Sequence, residues 1–359
     1  MKAIVYHAIN DLRYEPEWAE PRPLKPGEVR IATAWCGICG TDLEDLRQGA
    51  IIPIGKPHPE SGRMAPMVIG HEYSGVVVEV APDVTNVKPG DRVAMECIRH
   101  CGRCIWCKRG EYASCLNQVS VGQHDDGGMA EFFNIPAYDC IKVPDSLPLD
   151  IASMAEPLAV MVRAVRKGRV TPGEVVTVVG AGAIGLFGVA MARVAGASRI
   201  ISVTHGGHRA EIAKQMGATH VLNSKVEGWR EEFLDITDGL GSEVVLDCGG
   251  NIPAIRLAVE LASRHGRIVL TTVIDEDVPL NALDIMYNEK EIIGTVAHQQ
   301  DREYKWAVQY LADGRVDPEP MITSRVYIED AVSDGFEKAI KDRNQIKILV
   351  TPDKKYLNS

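Results

Sequence analysis

The sequence lacks any excess of positive charge. Its 39 Lys and Arg stand against 49 Asp and Glu, a formal net charge of −10. That excludes a basic nucleic-acid groove or a cationic face for anionic lipid as the dominant surface feature. An uninterrupted apolar run is missing too. The longest, Val175 to Ala197, is broken by five glycines and Arg193, so it reads as a buried strand, turn and helix, not a membrane span. No charged segment backed by an apolar one stands at the start; Met1 leads into the strand-like KAIVYH, and the expected location is cytoplasmic. Internal repeats and low-complexity stretches are absent as well. What is present is an ordinary globular composition, 45% hydrophobic and 25% charged, in 359 residues, a length that suggests two domains.

Nine cysteines in a reducing compartment suggest metal binding more than disulfides. Four of them, Cys101, Cys104, Cys107 and Cys115, follow one another at steps of three, three and eight residues. Two residues between cysteines let a tight turn bring both thiolates to one tetrahedral ion, and the longer last step closes the fourth corner. Four thiolates with no open position describe a structural zinc site, in a lobe spanning about residues 97–115.

The first 150 or so residues read as β-rich, with strands at 3–6, 28–35, 75–80 and 92–95. Pro26-Gly27 and Pro89-Gly90 punctuate them, which suggests a compact barrel-like lobe. Near Ser153 the pattern changes. Helical stretches at 153–168, 209–216 and 252–263 alternate with wholly apolar strands at 174–179, 199–204, 244–247 and 266–272. That alternation argues an α/β fold with a parallel, doubly wound sheet. After residue 296 one helix (302–311) and a final strand (345–350) remain, and the tail is expected to rejoin the first lobe. The expected division is therefore 1–152, 153–296 and 297–359.

The strand 175–179 leads into Gly180-Ala181-Gly182-Ala183-Ile184-Gly185 and then a helix. In that context a GxGxxG turn is a dinucleotide fingerprint: the glycines allow the tight turn and the backbone's approach to a pyrophosphate at the helix N-terminus. An NAD site commonly adds a carboxylate about 20 residues on, for the ribose 2′-hydroxyl. Here the second strand ends in Thr204, followed by His205, Gly206, Gly207, His208 and Arg209. A hydroxyl, imidazoles and a guanidinium suit a 2′-phosphate, which argues NADP over NAD. The competing reading is a solvated turn.

A second constellation joins Cys36-Gly37-Ile38-Cys39-Gly40-Thr41-Asp42, Gly70-His71-Glu72 and Ala155-Glu156-Pro157-Leu158. Together these offer thiolate, imidazole and carboxylate, a borderline-soft set that can bind zinc and leave a position open. With GICGTD, GHE, the four-cysteine lobe, MAEPLAV and GAGAIG in this order, the sequence resembles the medium-chain, zinc-dependent alcohol and polyol dehydrogenases, in their sorbitol- and butanediol-dehydrogenase-like branch. The resemblance implies a GroES-like catalytic domain interrupted by a Rossmann domain, with the active site in the cleft.

It further implies two zinc ions per subunit. The catalytic ion is expected on Cys39, His71 and Glu156, with Glu72 either a ligand or a support and Cys36 in packing only. Thr41 is expected to begin a proton relay. Cofactor contacts are expected from Gly180, Gly182, Ala183, Ile184, Gly185, Thr204, His205, Arg209, Thr272, Val273 and Val296. The implied reaction passes a hydride from a secondary hydroxyl of a diol, polyol or sugar to NAD(P), giving a ketone or lactone; threonine- or aldose-dehydrogenase-like activity is the alternative. A non-catalytic zinc- and NADPH-binding protein is disfavoured by the intact Cys39, His71 and Glu156. A homotetramer, or a dimer through Rossmann edge strands, is expected.

Two positions depart from relatives. Glu44 stands where many carry a relay histidine, and Ala297 stands where sorbitol-type relatives often carry arginine. The segment 51–66 resembles a butanediol-dehydrogenase loop; either His58, Glu60 and Arg63 face the cleft or the loop is a solvated surface feature.

Overall fold

The computed structural model describes residues 1–357. The chain divides into two compact units: Met1–Glu156, His298–Asp313 and the chain from Ile322 onward form one, and Pro157–Ala297 with Gly314–Met321 form the other.

The first unit is built on the strand Glu28–Gly37, most of whose residues are buried. A turn closed by Glu28 N donating to Lys25 O at 3.1 Å opens it, and Asp91 N donating to Lys88 O at 3.1 Å makes the equivalent turn before Arg92–Met95. Proline supplies the fixed φ at the second position of each turn and glycine the third. Glu28–Gly37 pairs antiparallel with Glu72–Val80, Phe132–Pro136 and Lys347–Thr351. Beyond Glu72–Val80 the sheet continues through Arg92–Met95 to Cys140–Lys142, and beyond Lys347–Thr351 to Ile322–Tyr327. The register sets Gly37 opposite both Glu72 and Leu349. Three pieces of sequence, GICGTD, GHE and the final strand, are thereby brought to one end of the sheet.

In the second unit six strands pair in parallel, in the order His220–Asn223, Arg199–Thr204, Val175–Val179, Ser242–Asp247, Ala262–Leu270, Glu291–Gly294. Val175–Val179, buried at every position, lies within the sheet, as expected of a strand with helices on both faces. Helix Ala183–Val194 follows it, and Ile252–Leu261 is capped by Asn251, whose side chain accepts from Ala254 N. The protein is thus a GroES-like β-rich unit with a Rossmann doubly wound unit, the α/β class that the sequence implies.

The sequence pattern misses His220–Asn223 and Glu291–Gly294, which are four residues long and carry little buried apolar side chain. It also misses Ile322–Tyr327, largely half-exposed. Expected at 266–272, the fifth strand instead runs Ala262–Leu270 with a register shift. The helix expected at 302–311 is Lys305–Ala312, preceded by a wide turn at Gln300–Tyr304. Among the described residues no helix is long and apolar enough to cross a membrane.

Candidate active site

Cys39 is the cap residue of helix Gly40–Gln48, and its backbone N–H donates to Asp42 Oδ2 at 2.9 Å. Asp42 Oδ1 lies 3.3 Å from His71 Nδ1, with both side chains buried. One carboxylate therefore closes the helix start and faces the imidazole as a counter-charge, an arrangement that leaves the other ring nitrogen for a ligand. That nitrogen, Nε2, lies 3.5 Å from Thr41 Oγ1. Burial opposes a charge on His71, but the Asp42 carboxylate and Cys39 sulfur raise its pKa well above the ordinary value. Such surroundings stabilise a positive charge at the imidazole, a proton in its absence and a metal ion in its presence.

Glu72 is buried against Lys347, whose Nζ lies 2.7 Å from both carboxylate oxygens and 3.1 Å from Ile38 O. Burial disfavours the Lys347 charge, yet the Glu72 carboxylate raises its pKa, so the ammonium is retained. Gly37 is required here: a Cβ at that position would lie 2.2 Å from Glu72 Oε2. Cys39, His71 and Glu72 each offer one ligand atom, all within 4.8 Å of one another. Thiolate, imidazole and carboxylate suit zinc, and three protein donors leave a position open. The chemistry of the donors thus fits the metal.

Glu156 belongs to no such group among the described residues; its Oε1 instead lies 2.8 Å from His298 Nε2 and 3.8 Å from Cys97 Sγ. Burial opposes the Glu156 charge, but His298 holds its pKa below the usual carboxylate value. Cys36 is buried against Gly70 and is not one of the grouped donors, with its thiol raised by burial.

Thr41 Oγ1 accepts from Gln123 Nε2 at 3.3 Å, and Gln123 Oε1 accepts from Ser120 Oγ at 2.8 Å. Glu44, one turn along the same helix, is exposed along part of its side chain, and partial burial of its carboxyl raises its pKa. Next to this network His124 Nδ1 accepts from Ser120 N at 3.1 Å, and His58 stacks on the ring at 4.3 Å. Burial and the neighbouring His58 push His124 down to about 4. The unfolded chain then binds a proton between pH 6.5 and about 4 that the folded chain does not, so stability falls as pH drops through that window. After allowance for partial solvent screening the loss is about 1–2 kcal/mol. Urea melts of the wild type and His124→Asn check it: the difference between the two proteins should shrink by about that amount from pH 7 to about pH 4.5, and a pH-independent difference would reject it.

The Sγ atoms of Cys101, Cys104, Cys107 and Cys115 also lie within 4.8 Å of one another, with Cys104–Cys107 at 3.5 Å and Cys101–Cys107 at 3.9 Å. Zinc–sulfur bonds of about 2.3 Å in a tetrahedron require sulfurs about 3.8 Å apart, so the donors fit that ion. Backbone N–H groups of Cys101 and Asn117 point at Cys115 Sγ, at 3.2 and 3.4 Å, as befits thiolate acceptors.

In the segment 51–66, Arg63 pairs with Asp126, Glu60 with Arg103, and His58 with His124, all within the first unit. These contacts support the reading as a surface loop.

In the second unit Gly180 through Gly182 form the turn into helix Ala183–Val194, with Gly182 as its cap residue. A Cβ at Gly185 would lie 1.9 Å from Gly180 O, so the helix can approach the strand only with glycine there. Arg209, half-buried, donates to Ala181 O at 3.0 Å and so lies over the turn. Thr204 is buried at the end of its strand, whereas His205 and His208 are exposed. Thr272 donates to Asp247 Oδ2 at 2.7 Å, and Val273 and Val296 are exposed by 69% and 59%, apolar surface of the kind a nicotinamide would cover. Glycine turn and helix N-terminus together fit a dinucleotide.

Sequence reasoning left Asp42, Gln123, Glu96, His298 and Lys347 without a role. Asp42 stands inside a quoted motif and could have been assigned. Lys347 is 275 residues from Glu72, and nothing local marks it.

Residues 25–145 match the family described as alcohol dehydrogenase GroES-like domain, and residues 183–313 the family described as zinc-binding dehydrogenase. The chain is 32% identical to a (R,R)-butanediol dehydrogenase of Bacillus subtilis over 98% of this chain and 100% of that protein. It is 32% identical to a sorbitol dehydrogenase of Bacillus subtilis, covering 99% of this chain and 98% of the relative. The crystal structure of 2R,3R-butanediol dehydrogenase from Bacillus subtilis superposes with a TM-score of 0.90 at 31% identity, covering 98% of this chain and 99% of that one. A zinc-binding dehydrogenase from Sinorhizobium meliloti 1021 bound to NADP has a TM-score of 0.87 at 26% identity, covering 98% and 99%. An alcohol dehydrogenase from E. coli CFT073 complexed with NADH has a TM-score of 0.86 at 28% identity, with the same coverage.

Proposed function

Because this chain belongs to the zinc-dependent medium-chain dehydrogenases, as an NAD(P)-dependent alcohol or polyol dehydrogenase, we propose that it oxidises a secondary hydroxyl of a small diol, polyol or sugar to a ketone or lactone. The observation that carries the reading is the convergence of Cys39 Sγ, His71 Nε2 and a Glu72 oxygen beside the Thr41 hydroxyl. Cys39, His71 and one of Glu72 and Glu156 would hold the catalytic ion, and the four-cysteine lobe a second, structural ion. When bound, zinc would supply Lewis-acid chemistry that makes a hydroxyl acidic near neutral pH, and a nicotinamide dinucleotide would supply a hydride acceptor.

The chain's own residues do the rest. Asp42 faces the His71 ring as a counter-charge and leaves Nε2 for the site. Gln123 donates to Thr41 Oγ1, leaving the Thr41 hydrogen free to pass to solvent water as Oγ1 takes up the substrate proton. Lys347 neutralises Glu72, so the donor group is not overloaded with negative charge.

Arg209 beside Gly182, and no carboxylate after Thr204, support NADP over NAD. The Rossmann edge strand Glu291–Gly294 follows a helix that exposes Leu283, Met286 and Tyr287 by 60%, 63% and 72%, which supports a homo-oligomer through that edge.

Steady-state assays with a panel of vicinal diols, polyols, aldoses and L-threonine, each with NADP and NAD, test the reading. The expected result is turnover of a diol or polyol with higher kcat/KM for NADP, lowered about tenfold or more for NADP alone in Arg209→Ala. A clear preference for NAD would reject the NADP assignment. Turnover confined to L-threonine or an aldose would move the substrate, and no turnover in zinc-loaded protein would reject the function.

A further inference from the structure

Near the candidate zinc donors, close enough for Glu156 to feel the charges of His71 and Lys347 and for Glu72 to feel that of Glu156, lies a second knot of titratable groups. His298 is completely buried; its Nδ1 lies 2.7 Å from Glu96 Oε2 and its Nε2 2.8 Å from Glu156 Oε1. Both carboxylates belong to buried residues, as does Cys97, which lies 3.8 Å from the same Glu156 oxygen. Glu96 is itself anchored, its Oε1 accepting from Ile98 N at 2.9 Å. The segment carrying His298 is pinned as well, by Gln299 Nε2 donating to Gly110 O at 2.7 Å and Gln300 Nε2 donating to Tyr138 O at 2.7 Å. The chain reaches this position through Ala297, which holds a left-handed φ of 50°.

We propose that His298, braced by Glu96, is a positioning residue that fixes the Glu156 carboxylate beside the Cys39–His71–Glu72 donor group and thereby sets how tightly the catalytic zinc is kept. The geometry is that of an outer-shell hydrogen bond extended by one residue: Glu96 orients the ring, and the ring takes one Glu156 oxygen, leaving the other to be aimed. A carboxylate held at one oxygen by a buried, doubly bonded imidazole cannot swing freely. Removing the partner of a ligating group commonly costs 10–100-fold in metal affinity. The proposal rests on the reading of Cys39, His71 and Glu156 as holders of a catalytic zinc.

The test follows zinc release into a chromogenic chelator from purified, zinc-loaded protein. The phase missing in Cys39→Ser identifies the catalytic ion. His298→Gln and Glu96→Gln should each speed that phase about 10–100-fold while leaving the phase from the cysteine lobe unchanged, and should alter the visible spectrum of cobalt-substituted protein. Glu96→Gln keeps the shape of the side chain and stands in if His298→Gln does not fold. A merely structural role would lower the melting temperature and leave the release rate and cobalt spectrum as in the wild type. Release within twofold of wild type in the folded variants, with two zincs per chain, overturns the clamp alone; a single zinc and no Cys39-dependent phase overturns the clamp together with the catalytic-site reading.

Discussion

Cys39→Ser is expected to leave a folded protein that turns over at least about a thousandfold more slowly and carries one zinc per chain in place of two. Cys39 opens a helix in a capping box: Asp42 accepts the Cys39 N–H, and the Cys39 side chain faces the Asp42 N–H, a place that serine also fills. The fold therefore does not depend on the sulfur. The donor group does, because the thiolate is its softest ligand and serine is a poor substitute for it. Loss of a Lewis acid worth several kcal/mol, about 4, corresponds to about three powers of ten in rate. Cys104→Ser should behave oppositely. In the closed lobe the proposed ion would contribute folding energy directly, so the melting temperature should drop while the surviving folded fraction keeps its turnover number. Metal analysis, circular dichroism and kcat on the two variants check the contrast. A Cys39→Ser enzyme with full activity would overturn the assignment.

The second large effect is on stability. Lys347→Met is expected to destabilise the first unit by about 3–5 kcal/mol, because it leaves the Glu72 carboxylate buried without its counter-charge. Lys347 Nζ reaches both Glu72 oxygens and a main-chain carbonyl, and both side chains are almost wholly inaccessible, so water cannot replace the ammonium. The double variant Lys347→Met, Glu72→Gln should recover much of the loss, since the stranded charge is gone. Denaturant melts of the two single variants and the double one give the coupling. A loss below about 1 kcal/mol in Lys347→Met would show that the ammonium is not what holds that charge.

These expectations separate what is local from what is not. The four-cysteine spacing, the strand–GAGAIG–helix context and the switch from β-rich to alternating pattern near Ser153 are all properties of contiguous sequence. Turn geometry and periodicity act over a few residues, so the lobe, the parallel sheet and the α/β class were legible without coordinates. The short strands His220–Asn223 and Glu291–Gly294 were not, because four residues carry too little periodicity and their pairing comes from neighbouring strands. Cys39, Thr41 and His71, each marked by a motif of chemistry-bearing residue types, are brought together by the fold.

Only the tertiary structure decided which groups neutralise and orient them. Glu72 meets Lys347 because the last strand pairs antiparallel with Glu28–Gly37, a contact made across nearly the whole length of the chain. Glu156 meets His298 for the same kind of reason, and instead of joining the compact donor group it lies hydrogen-bonded to an imidazole braced by Glu96. The sequence alone determined the chemical kind of each donor, because that is fixed by side-chain type and local spacing. Which carboxylate is paired with a cation, and which is held by a histidine, depends on burial and on long-range register, and those exist only once the chain has folded.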